Sequence, residues 1–260
     1  MIEWPAMHYV IVCLAAFFTS GLTLFSGFGL GTLLMPVFAL FFPVSLAIAM
    51  TAVVHFLNNL FKLVLIGKRA QRRVVWRFGL PALGGAFLGA WVLVHLTDLP
   101  PIATYTLFAA PHAITPVKSV IALLMIGFAV LELPRFQHLA VDPRYVPLGG
   151  ILSGFFGGLS GHQGALRSAF LLKTGLSKEE FIGTGVVIAC LVDVTRLLVY
   201  WKQLTAGMEH RGLLIAAALS AFLGAWLGAR LMPKITMRSV QILVATLLGF
   251  IAVGLGAGLL

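Results

Sequence analysis

The sequence predicts an all-α polytopic membrane protein with two inverted-topology repeats, each beginning with a glycine-broken helical hairpin. Three observations predict it. Hydrophobic residues make up 60% of the chain and charged residues only 10%, against about 25% charged in a soluble domain. The apolar residues gather into runs of about 20 without a charge, enough to cross a ~30 Å hydrocarbon core. The two halves also resemble one another in sequence, the mark of an internal repeat.

Polar breaks leave eight apolar stretches, at roughly 6–43, 46–66, 78–97, 116–133, 145–172, 179–201, 211–232 and 239–260. Six have the length of a single spanning helix. The stretches 6–43 and 145–172 are too long for one crossing, and each carries a glycine cluster. The first cluster is Ser26-Gly27-Phe28-Gly29-Leu30-Gly31, with Pro36 after it. The second is Gly157-Gly158-Leu159-Ser160-Gly161-His162-Gln163-Gly164. Small residues of this kind also serve close helix packing. Their paired placement favours a helix break near the midplane in each half. Backbone that leaves helical form in lipid must be shielded by protein or line a wet cavity. A break frees N–H groups at the start of the next half-helix, and such a terminus attracts anions through its donors and its dipole.

The halves are expected to be residues 1–133 and 145–260. Ser20-Gly21 matches Ser153-Gly154, and the same spacing pairs Gly31 with Gly164 and Thr51 with Thr184. The block Ala86-Phe87-Leu88-Gly89-Ala90-Trp91 recurs unchanged at Ala221-Phe222-Leu223-Gly224-Ala225-Trp226, at nearly that spacing.

Loop charge sets the orientation, since cytoplasmic loops carry the excess of Lys and Arg. The loop 67–77 holds Lys68, Arg69, Arg72, Arg73 and Arg77 and is expected inside. The loop 98–103 carries only Asp98 and is expected outside. The connection 134–144, then Lys173 and Lys178, and later 230–238, return inside, and 202–211 and the N-terminus lie outside. On this assignment the two glycine-broken hairpins enter from opposite faces. Inverted repeats are the architecture of many alternating-access carriers. Trp76 and Trp201 are expected at the interface belts, and Lys118 at a helix end, with its amine reaching for the surface.

Several classes fall away. The net charge of +10 is gathered in loops between apolar segments, whereas nucleic-acid binding needs a solvated basic face. Cys13 and Cys190 sit singly in apolar segments, with no CxxC or HExxH spacing, so neither a disulfide nor a metal site is expected. Glu3 without a basic leader argues for a retained first segment rather than a cleaved signal peptide. No cofactor, metal or catalytic residue is expected.

The glycine-rich openings of the two halves resemble those of the sulfite exporter TauE/SafE family, within the toluene-sulfonate uptake permease group. The residues that carry the resemblance are Gly27-Phe28-Gly29-Leu30-Gly31 through Pro36 to Pro43, then Ala47 to Thr51, and the echo Gly154-Phe155-Phe156-Gly157-Gly158-Leu159-Ser160-Gly161. The likeness covers nearly the whole chain. It implies a transporter of sulfite, sulfonates or related small organic anions. His162-Gln163 departs from the glycine-rich pattern by placing bulky polar residues where small ones are usual.

Ionisable and polar residues inside spans are costly and mark functional candidates. Arg167 lies one turn after Gly164. Its guanidinium suits paired hydrogen bonds to a sulfonate or carboxylate, or it bonds loop carbonyls. His162 and Gln163 stand at the expected apex and can donate to an anion. His162 can also titrate or bond nearby backbone. Gly161, Gly29 and Gly31 supply the turns, and Asn58 is an amide that must find a partner, as is Asn59. Lys62 shares their turn, and His55 lies near the centre of the same span. Asp193 and Arg196, three apart on one helix, form either an internal ion pair or an ion-coupling site.

The expected function is a secondary transporter that moves a small sulfur-containing or organic anion across the cell membrane by alternating access. An anion channel is the alternative that the sequence does not separate from a carrier. A rhomboid-like protease, suggested by Gly158-Leu159-Ser160-Gly161 with His55 as partner, leaves the duplication unexplained. The expected partners are the anionic substrate, the bilayer and a coupling proton. A homodimer is left open, and no nucleic acid is expected.

Overall fold

A computed structural model describes residues 4–26, 30–107, 109–131, 140–231 and 237–260. The chain is an all-α polytopic membrane protein with eleven α-helices among the described residues. In order these are α1 (Trp4–Ser26), α2 (Leu30–Ala39), α3 (Val44–Ile66), α4 (Arg72–Thr97), α5 (Pro116–Leu131), α6 (Val146–Ser160), α7 (Gly164–Leu171), α8 (Lys178–Val199), α9 (Trp201–Gly207), α10 (Arg211–Leu231) and α11 (Met237–Gly256).

Four described stretches, Val44–Arg69, Arg72–Thr97, Lys178–Val199 and Trp201–Gly228, are long and apolar enough to cross a membrane. Large apolar side chains face outward along them: Val64 is 81% exposed and Leu198 72%. Water would not tolerate so broad an apolar surface on a monomer, whereas lipid matches it. Trp76 and Trp201 are exposed near the starts of α4 and α9, on opposite ends of the bundle.

Contacts between glycines and backbone give the helix directions. Along α4 and α6, Phe78 meets Gly150, Ala82 meets Gly154 and Ala86 meets Gly158, so these helices run parallel. Along α1 and α10, Phe17 meets Gly224 and Gly21 meets Gly228, again parallel. By contrast α3 and α8 are antiparallel: His55 reaches Asp193, and Gln71 just beyond α3 reaches Thr184 near the start of α8.

These directions define two ends. One, the basic end, gathers the end of α3 and the starts of α4, α6 and α8. The other gathers the start of α1, residues 41–46 and residues 207–212, through the ring contacts His8–Phe41 and Phe42–His210 and through Tyr9 against Gly212. Accordingly α1 and α2 form a hairpin that leaves from and returns to the second end. The helices α6 and α7 form one at the basic end, where Phe170 packs on Gly149 and Val141 N–H donates to the Ala169 carbonyl. The core is shared: α4 packs on α6, α1 on α10, α5 on α11 and α3 on α8.

Three connections differ from the sequence expectation. Arg72, Arg73 and Arg77, expected in a loop, stand in the first turns of α4, because the helix extends beyond its apolar part and carries its charged residues as a wet extension. The expected loop 202–211 is largely helical, as α9 and the 3-10 turn Met208–His210. Between α4 and α5, a stretch given no element from sequence forms an antiparallel hairpin, β1 (Ala103–Leu107) with β2 (Ala110–Ile114). It packs at the end of α11, where Tyr105 hydroxyl donates to the Ala257 carbonyl. Lys118 is half-buried near the start of α5, and its amine donates to the Ala113 carbonyl at 3.2 Å.

Candidate functional site

The second glycine cluster breaks the chain between α6 and α7. Gly161 takes φ +82°, a conformation that glycine adopts without penalty, and its N–H closes on Gly157 O. The new helix α7 starts at Gly164, and no side chain caps its first turn. In the first half, α1 ends at Ser26 and α2 begins at Leu30; Gly27, Phe28 and the candidate Gly29 lie outside the described residues. Gly31 sits in the first turn of α2, directly against Gly161. The hairpins thus come from opposite ends of the bundle, and the second one's turn meets the start of α2.

Around this junction lies a buried polar cluster. Asp193 on α8 is its one buried carboxylate among the described residues. Arg196 donates to Asp193 Oδ1 from Nε at 3.0 Å and from Nη2 at 2.7 Å. His55 Nδ1 lies 2.6 Å from Asp193 Oδ2, and Asn59 Nδ2 donates to the same oxygen at 3.2 Å. Both partners of the Asp193–Arg196 pair are fully buried.

Arg196 also reaches α6. Its Nη1 donates to Gly157 O at 3.3 Å, and Tyr200 hydroxyl donates to Gly158 O. These carbonyls belong to the C-terminal turn of α6, where the only backbone donor among the described residues is the Gly161 N–H on Gly157 O. The guanidinium bonds the first and the Tyr200 hydroxyl the second, and the positive charge matches the negative end of the helix dipole. Asp193 in turn holds the guanidinium in place. The pair therefore has a structural task at the break, beside whatever else it does.

The other sequence candidates fall around this centre. Arg167 Nη1 donates to Gln163 Oε1 at 3.3 Å, and the guanidinium passes close to Gly185 of α8. Gln163 is buried, its backbone carbonyl accepting from Ser153. Asn58 Oδ1 accepts from Ser20 of α1 at 3.0 Å. His162 bonds its own neighbourhood, with Nδ1 3.0 Å from Ser160 O, and stacks on Phe128 of α5 at 5.2 Å. Ser160 hydroxyl donates to Phe156 O, while His55 is engaged by Asp193.

Thr51 Oγ1, Asn58 Nδ2, His162 Nε2 and Gln163 Nε2 are buried and find no partner among the described residues. Leaving such a group unpaired costs about 1–3 kcal/mol. They lie on α3 and in the turn between α6 and α7.

Lys62 on α3 is buried, at 6% exposure, and no carboxylate lies within 4 Å of it among the described residues. Arg167 likewise has no carboxylate at that distance. His55, Asn59 and Lys62, named from sequence beside Asn58 as polar residues of one span, are buried with it on α3. The signal that finds them is spacing: 55, 58, 59 and 62 share one face of a helix, and all four are buried. An open cleft of about 700 Å³ lies elsewhere, at the basic end, lined by Lys68, Arg69, Gln71, Ser177 and Glu180. Its lining belongs to the surface connections and not to the buried cluster. No group of three metal-ligating side chains converges among the described residues.

The profile of the sulfite exporter TauE/SafE family matches residues 11–255. No curated protein and no solved structure matches the chain. With the match running over nearly all its length, the chain belongs to the sulfite exporter TauE/SafE family, and so to a family of membrane transporters.

Proposed function

We propose that this chain carries a small sulfur-containing or organic anion, of the sulfite and sulfonate class, across the cell membrane by alternating access. The substrate site lies between the two hairpins, where Arg167, Lys62, Gln163 and Asn58 supply positive charge and donors. One observation carries the reading: the buried cluster has more cations than carboxylates. Asp193 is committed to Arg196, while buried Lys62 and half-buried Arg167 have no carboxylate within 4 Å among the described residues. Charge in the membrane interior is expensive unless paired, and an anion would pair it. The unpartnered amide groups of Asn58 and Gln163 suit the oxygens of such an anion.

Burial of Asn58 and Gln163 at 0% exposure implies that the site must open before a substrate enters. Two repeats, 1–133 and 145–260, provide the means on this reading. The partner helices exchange under that correspondence: α4 on α6 becomes α10 on α1, whereas α3 on α8 and α5 on α11 map onto themselves. A rocking motion that opens one end would then have a mirror-related motion that opens the other. The basic end, with Lys68, Arg69, Arg72, Arg73 and Arg77 exposed, faces the cytoplasm by the charge rule.

The test uses purified protein with sulfite, taurine-like sulfonates, short carboxylates and neutral solutes of the same size. Anions are expected to raise the thermal midpoint and neutral solutes to leave it alone. In liposomes, labelled anion outside should enter faster when unlabelled anion is trapped inside, as a carrier requires. Stabilisation by neutral solutes alone, or flux indifferent to trapped anion, removes the proposal.

A further inference from the structure

We infer that His55 and Asp193 form a proton-binding site through which anion transport is coupled to a proton moving in the same direction. The inference rests on the carrier reading above and adds the coupling ion to it. The two side chains come from α3 and α8, one helix from each half, and both are buried. His55 Nδ1 stands 2.6 Å from Asp193 Oδ2. With Nδ1–H donating to the carboxylate, Nε2 keeps a lone pair, with Asn59 Nδ2 3.4 Å away. A proton taken up there makes an imidazolium whose charge rests against Asp193. Only an N–H bond forms, and only that bond breaks on release.

Charge balance links this proton to the anion. The one buried carboxylate among the described residues, Asp193, is paired with Arg196, and Arg167 and Lys62 add further positive charge nearby. An imidazolium adds to the surplus of positive charge, and an incoming anion subtracts from it. Each binding step therefore favours the other, and the favour is mutual by linkage. The groups that surround His55 are consistent with this account. They are Asp193 and Arg196 on α8 and Arg167 on α7, with the Asn59 amide on α3 itself. No further carboxylate is among them. Packed on α3 from other sides, α2 carries no titratable side chain, α10 none between Arg211 and Arg230, α9 only the exposed Lys202, α5 only the half-buried Lys118, and α4 the exposed Arg72, Arg73, Arg77 and His95. Because the bond spans α3 and α8, a change in its charge acts where the two halves meet.

The test uses the full chain in liposomes and methanesulfonate as probe, since sulfite exchanges its own proton near neutral pH and a sulfonate does not. A pH dye inside the vesicles should report proton entry with the anion, and an inward proton gradient should drive its accumulation. His55→Asn keeps an N–H donor toward Asp193 and removes the titrating ring. In that variant gradient-driven accumulation should fall by roughly ten-fold or more, while exchange against trapped methanesulfonate stays within about two-fold. A second measurement needs no variant: adding methanesulfonate to weakly buffered purified protein should take up protons from solution. Accumulation that ignores the gradient, protons that move against the anion, or a His55→Asn variant as well driven as the native protein overturns the inference. Failure of exchange in the native protein is a different result: it removes the carrier reading itself, and this inference with it.

Discussion

Gly31 opens α2 with its α-carbon against the backbone of Gly161, so close that a Cβ there would stand 2.9 Å from the Gly161 carbonyl oxygen. Real side chains do not approach backbone oxygen so closely, and neither the start of α2 nor the turn that ends α6 can give way without moving its hairpin. Gly31→Ala should therefore lower the thermal midpoint, by about 1–3 kcal/mol of stability as overpacking does, and should slow transport. Unchanged melting in detergent would show that the two hairpins do not meet there.

The α4–α6 interface gives a sharper contrast. A Cβ at Gly89 would overlap the Phe155 carbonyl, and one at Gly158 the Ala86 carbonyl. Gly84, on the same helix as Gly89, and Gly127 on α5 have nothing within 4 Å of the corresponding point. Gly89→Ala and Gly158→Ala should each destabilise by about 1–3 kcal/mol or more. Gly84→Ala and Gly127→Ala should be neutral or stabilising by about 0.4–1 kcal/mol, through a less flexible unfolded chain. Melting curves of the four variants, taken together, decide whether backbone approach holds these helices.

Removing Asp193 alone leaves Arg196 charged and uncompensated. Asp193→Ala should cost about 3–5 kcal/mol, as breaking one side of a buried pair does. The double variant Asp193→Leu with Arg196→Met should recover part of that loss, because no lone charge remains. It should not recover all, since Arg196 also bonds the Gly157 carbonyl and helps to hold the end of α6. Unfolding free energies of the single and double variants measure both statements.

Lys62 has no carboxylate partner among the described residues, so its loss should not weaken the fold. Lys62→Met should leave the thermal midpoint unchanged or raised. The same variant should weaken stabilisation by sulfonate about 10- to 100-fold in concentration, the worth of a charged hydrogen bond. Lys62→Arg should retain most of it. Anion titrations followed by thermal shift check both effects.

The membrane character and the second helix break were legible from local chemistry. Apolar runs partition into lipid wherever they occur in the chain, and Gly161 adopts φ +82° where its cluster ends a helix. The limits of the basic segment were less legible: α4 starts at Arg72, inside the charged stretch, since hydropathy marks the lipid boundary and not the helix end. The hairpin Ala103–Ile114 was not legible, because its ten paired residues are neither apolar enough for a span nor charged enough to mark a loop.

The polar site divides in the same way. Arg167, Gln163, Asn58, Asp193 and Arg196 stood out singly, because a polar residue inside an apolar run is conspicuous. Sequence spacing also joined Asp193 to Arg196 along one helix. What only tertiary structure decided is the meeting of His55 with Asp193, separated by 138 residues, and of Gly31 with Gly161. Those contacts depend on the antiparallel register of α3 on α8 and on hairpins that start at opposite ends. Register across two helices is set by the summed packing of many side chains, and no short stretch of sequence contains that sum.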